Sequence, residues 1–168
     1  MTFRNRRGGN SLIEAPILVL IIVVLMVGMV EIARITITYY NLRKAIYSIA
    51  RYVSTQSGVN YCDPADPKIT SAINLGLTGS TDAALQEQIP NLTADMITVS
   101  VEKLDPVANV LTPCDCTITG CDIASGGGFP DFVVVTIPNG YSVTPRLPFL
   151  TIDPIPLRPT VKVPFGGS

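Results

Sequence analysis

The residues whose type and spacing carry chemistry in this sequence are few. Four are cysteines, Cys62, Cys114, Cys116 and Cys121, and one is an acid, Glu14, at the lip of a long apolar run. In an oxidising compartment an even set of cysteines points to two disulfides. A Cys114–Cys116 bond would be strained, so Cys62 is expected to bond one member of the cluster while the other two close a small loop. The alternative is a four-thiolate metal site, but C-x-C-x4-C is not the paired C-x2-C spacing of a zinc ribbon; no metal is predicted. The chain holds no histidine, which removes imidazole acid–base work, His-based triads and HExxH zinc sites. Asp115 and Asp122 flank the cysteines and read as solvated loop carboxylates. No nucleophile–base constellation is present, so the sequence predicts neither an enzyme nor a cofactor.

These residues sit in a chain of 168, about one domain's worth. Apolar residues make up 47% and charged residues 15%, against about 25% charged in an ordinary soluble domain. Mean hydropathy is +0.40. The formal net charge of −1 gives the chain as a whole no electrostatic attraction to nucleic acid.

The apolar surplus is local. Residues 15–30 form a run of 16 without a charge, closed by Glu14 and Glu31. Leu12, Ile13, Ile32 and Ala33 extend it to the ~20 residues that cross a bilayer core, and a transmembrane segment is predicted over about 12–33. Three arginines precede it (Arg4, Arg6, Arg7) and four basic residues follow (Arg34, Arg43, Lys44, Arg51), so charge bias does not orient it. The short N-terminal tail and the downstream cysteines favour a cytoplasmic N-terminus. No A-x-A site follows the run, as a secretory signal requires, and no cysteine follows directly, as a lipid anchor requires.

Beyond the run, Ile35, Tyr39, Leu42, Ile46, Ile49 and Val53 recur at alternating spacings of four and three. That is a heptad-type seam, to be covered either by the protein's own domain or by a neighbouring subunit. Glu31 and Arg34 share a helix face at the expected headgroup level and predict an ion pair. Ser57-Gly58 is the expected stop, giving one helix about 70 Å long.

Glu14 has two readings. Ser11-x-x-Glu14 is a capping box before an apolar run. A carboxylate inside a bilayer costs about 2.5–3.5 kcal/mol at its centre and less at its edge, so a positive group on an adjoining helix would also account for it. The stretch Arg6-Arg7-Gly8-Gly9-Asn10-Ser11-Leu12-Ile13-Glu14 resembles the prepilin-peptidase site of type IV pilin-like proteins. With Glu31-Ile32-Ala33-Arg34 and Ala50-Arg51-Tyr52-Val53 downstream, residues 7–55 resemble the TadE/TadG-like proteins of tight-adherence (Flp) pili. The resemblance implies a basic leader, residues 1–9, cut between Gly9 and Asn10. The new α-amine would then neutralise Glu14 of another copy and set axial register. It also implies a minor pilin-like subunit, held in the bacterial inner membrane before assembly and found on the extracellular pilus afterwards. Its partners would be membrane lipid, the prepilin peptidase, and copies of itself or other pilin subunits. Alternatives are a major pilin, a type II secretion pseudopilin, or an uncleaved single-pass anchor carrying a binding domain.

Residues 58–168 are expected to form an extracytoplasmic domain after a helix spanning 10–57. Residues 59–168 carry 11 acidic and 5 basic side chains. Asp66-Pro67 predicts a capped helix through Leu77, and Ser80 to Ile89 a second. Met96 to Val101 and Asp131 to Ile137 alternate like strands. Asn139-Gly140 predicts a hairpin from the latter to Tyr141–Val143, at an edge because of Pro138. Eight prolines between Pro130 and Pro164 leave edge strands and extended segments for the tail. The fold class is therefore α+β: a long transmembrane and amphipathic helix, then a small, proline-rich, sheet-containing domain.

Overall fold

A computed structural model describes residues 11–82, 88–114, 116, 127–147 and 150–167, without the side chains of 11–13. The chain is α+β, a long apolar N-terminal helix followed by a small antiparallel sheet domain.

Helix α1 (Ser11–Ser54) runs 44 residues, about 66 Å at 1.5 Å per residue. Pro16 lies inside it, close enough to the start that its missing N–H removes one hydrogen bond without ending the helix. The helix stops at Ser54, three residues before the expected Ser57. Ser54 Oγ turns back to the Arg51 carbonyl (2.9 Å), and the next turn is carried by Thr55 and Gln56 amides on Tyr52 and Val53. Gly58 (φ +62°) lies beyond the helix.

Helix α2 (Pro67–Thr78) begins as expected. Asp66 caps it, one carboxylate oxygen accepting from the Lys68 amide (2.7 Å) and the other from the Asn60 amide (3.0 Å). Lys68 Nζ reaches back to the Ser57 and Gly58 carbonyls, tying the start of α2 to the exit from α1. Gly79, in the left-handed region, ends it. The second helix expected between Ser80 and Ile89 falls largely on residues 83–87, outside the described residues.

The main sheet has the order β2-β1-β3-β6, all antiparallel: β1 (Thr98–Asp105), β2 (Val110–Pro113), β3 (Phe132–Thr136) and β6 (Thr160–Pro164). Met96, expected at the head of β1, instead closes a 3-10 turn over Ala94–Met96, and the strand starts at Thr98. The register places Val99 and Val101 beside Val135 and Val133, and those beside Val161 and Val163. Six valines therefore share one face, because side chains alternate along a strand. That face joins the core under α1 with Leu42, Ile46, Ile49 and Val53. The opposite face is mixed, with buried Val134 and half-buried Phe132 among polar side chains. The Thr136 and Thr160 hydroxyls meet at 3.0 Å, Lys162 pairs with Glu102, and Lys162 Nζ lies 5.3 Å from the Phe132 ring centroid.

The expected β3–β4 hairpin is corrected. β4 (Tyr141–Val143) pairs with β5 (Ile155–Leu157) in a separate two-stranded sheet, while β3 is held between β1 and β6. A two-residue loop at Asn139-Gly140 would pair Pro138 with Tyr141 in the ladder, where proline has no N–H to donate, and a type I′ turn needs positive φ at both loop residues, whereas of the two only Gly140 has it. The chain instead turns out of the sheet through a Gly140 N–H to Ile137 carbonyl bond (3.1 Å), with Gly140 at φ +80°.

Candidate membrane and assembly helix

Helix α1 has two unlike halves. In the upper half Leu42, Ile46, Ile49 and Val53 are fully buried, with Ala45 and Ala50 beside them, covered by α2, β3 and β6 of the same chain. The protein's own domain therefore covers this part of the expected seam. Lower down, Ile35 is half-buried and Tyr39 is 41% exposed. The protein's own domain therefore leaves Tyr39 exposed.

The lower half carries the chemistry of a lipid-soluble rod. From Ile17 to Met26 every large apolar side chain is exposed, as are Met29 and Val30. A helix apolar on all sides is stable only inside a membrane or among other helices. This one is long and apolar enough to cross a bilayer, and none of its apolar stretch is buried in the fold. Glu14 is exposed in its first turn, where the helix dipole favours a negative charge. The expected cleavage pair, Gly9 and Asn10, lies outside the described residues.

Glu31 and Arg34 meet at the junction of the halves, Oε1 to Nη1 3.6 Å. The Glu31 side chain is only 12% exposed, and its Oε2 finds no hydrogen-bond partner among the described residues. Arg34 Nη2 donates to the Thr144 carbonyl at 2.9 Å, so the pair also fastens β4's end to α1. Between them lies a recess of about 430 Å³ lined by Arg34, Thr38, Asn41, Tyr141, Thr144 and Arg146, among others. Sequence reading missed this junction, because Arg34 and Thr144 stand 110 residues apart and no local pattern links them.

Cys62 is bonded to Cys116, one of the pairings expected, and this removes two of the four thiolates a zinc site would need. Cys114 is also disulfide-bonded, and Cys121 lies outside the described residues. Near Cys62, Tyr61 is buried, edge-on to Phe165 at 6.4 Å between centroids, and its hydroxyl has no hydrogen-bond partner among the described residues. Burial, and then the nearby Asp66 carboxylate, raise its phenol well above the usual range.

No protein-family model, curated protein or solved structure matches this chain.

Proposed function

We propose that the chain is a pilin-like subunit, minor in its assembly, of a tight-adherence (type IV) pilus. It is inserted in the inner membrane as a precursor, cut after Gly9 by a prepilin peptidase, and assembled into the filament through α1. The single observation that supports this most is the division of α1. Its upper half is satisfied by the protein's own domain, whereas its lower half is apolar on every side and bare. Lipid covers that half before assembly, and the helices of neighbouring subunits cover it afterwards. Glu14, at the start of the rod, serves register in the filament by meeting the α-amine of Asn10 on an adjoining copy. The sheet domain faces outward and serves pilus assembly and surface adhesion.

Mechanical shearing of cells tests the reading. A filament subunit leaves with the sheared fibres. A permanently anchored protein stays wholly with the membranes and is released by detergent alone, which would refute assembly.

A further inference from the structure

Counting ~20 residues of helix across a ~30 Å hydrocarbon core from Ala15 brings the far boundary to Arg34. This is where Thr144 is fastened by its 2.9 Å hydrogen bond. β4 approaches that point from above. Tyr141 Oη bonds the Pro90 carbonyl (2.7 Å), and the neighbouring Gln88 and Ile89 line a cleft with Asn41, Ala45 and Ser48 higher on α1. Three strand residues from Tyr141 to Thr144 cover about 10 Å, as do the seven helix residues from Asn41 to Arg34. β4 therefore descends toward the apolar half, and the loop joining it to β5 leaves from the boundary itself. That loop has an unusual surface. Leu150 is 57% exposed and Ile152 38%, near Leu147 and an exposed Arg146 that pairs with no carboxylate among the described residues. Glu31, just below Arg34 on α1, keeps its side chain only 12% exposed.

We propose that the β4–β5 loop is a second membrane contact, made to an anionic phospholipid leaflet. Leu150 and Ile152 sit at the boundary between headgroups and acyl chains. Arg34 and Arg146 hold a lipid phosphate in the recess they share with Thr38 and Asn41. Glu31 offsets part of the Arg34 charge, so Arg146 supplies most of the attraction to the anion. Basic residues beside apolar ones at the interface are the combination that binds anionic lipid surfaces. The contact would fix the domain upright on the membrane before the subunit is withdrawn into a fibre. It rests on the reading of α1 as membrane-spanning.

The chain holds no tryptophan, so single tryptophans report cleanly. Leu150→Trp, Val24→Trp in the apolar run and Val107→Trp, which replaces a side chain 93% exposed in the β1–β2 turn, are each placed in the full chain. Each is reconstituted in vesicles of phosphatidylglycerol and phosphatidylcholine with brominated acyl chains. Leu150→Trp is expected to be blue-shifted and quenched to about half the intensity of Val107→Trp or less, and Arg146→Glu to relieve that quenching. Quenching of Val24→Trp without quenching of Leu150→Trp overturns the loop contact alone. Loss of quenching at Val24→Trp overturns the membrane span beneath it. A blue shift of Leu150→Trp in lipid-free detergent, unquenched in the vesicles, assigns the loop to a second copy and overturns the proposal. Quenching that Arg146→Glu leaves intact, or a Leu150→Trp response to inorganic phosphate without lipid, overturns the lipid-phosphate role of the recess.

Discussion

Gly76 of α2 lies so close to Ile49 of α1 that a β-carbon added at Gly76 would stand 2.4 Å from Ile49 Cγ1 and 3.1 Å from the Ala45 carbonyl oxygen. The two helices pack through the absence of a side chain. Gly76→Ala is therefore expected to destabilise the domain by about 1–3 kcal/mol, the usual cost of overpacking, despite alanine's better helix propensity. Thermal unfolding followed by circular dichroism measures it. An unchanged or raised Tm would mean that α1 and α2 are not in the close contact described.

Tyr61 predicts an alkaline effect with a definite sign. Its folded-state pKa is raised, by burial and then by Asp66, so its contribution is intact below the ordinary phenol pKa of about 10 and declines as pH rises above it. Stability should fall above about pH 10, with Tyr61 ionising above the usual phenol range in a spectrophotometric titration. Tyr61→Phe removes a buried hydroxyl that has no partner among the described residues and should leave stability at pH 7 unchanged or raise it by about 1 kcal/mol, while flattening the alkaline decline. A loss of stability at pH 7 would show that the hydroxyl has a partner in solution.

The Cys62–Cys116 bond closes a separation of 54 residues. In the chain-entropy account, a loop of this length stabilises by about 4 kcal/mol. The double variant Cys62→Ser, Cys116→Ser should lower the denaturant midpoint accordingly, without changing α1. Peptide mapping under non-reducing conditions should recover Cys62 and Cys116 in one linked pair. Recovery of Cys62 linked to another cysteine would refute the connectivity.

How much of this was legible in the sequence varied with the range of the forces involved. The Asp66 cap, α2 and the apolar rod were readable because caps and apolar runs are local. The core of β3 was readable too, since Val133, Val134 and Val135 form a buried run. The partner of β4 was misread. Asn139-Gly140 is a local hairpin signal, whereas the choice of β5 over β3 depends on the ladder N–H that Pro138 lacks and on residues a dozen positions downstream. β2 was missed, although Asp105-Pro106 before Asn109 marks its turn. Asp105 Oδ1 accepts from the Val107 and Ala108 amides there, and Asn109 adopts φ +52°. At the candidate site, the Glu31–Arg34 pair was readable from its spacing alone. Thr144 and Arg146 were not, because only the fold brings them to α1.

Glu14 separates insertion from assembly. Glu14→Ala removes a charge from the edge of an apolar helix, so membrane insertion should persist, while incorporation into sheared fibres should drop at least about tenfold if loss of one charged contact costs about 1.4 kcal/mol or more. Quantitative immunoblotting of membrane and fibre fractions measures both. Normal incorporation would leave Glu14 only its role in the first turn of the helix.

The most direct measurement is the N-terminal sequence of the chain recovered from sheared fibres of cells that carry their own prepilin peptidase. A subunit cut after Gly9 begins at Asn10. A chain absent from the fibres, or present there with Met1 and its arginines intact, would contradict it.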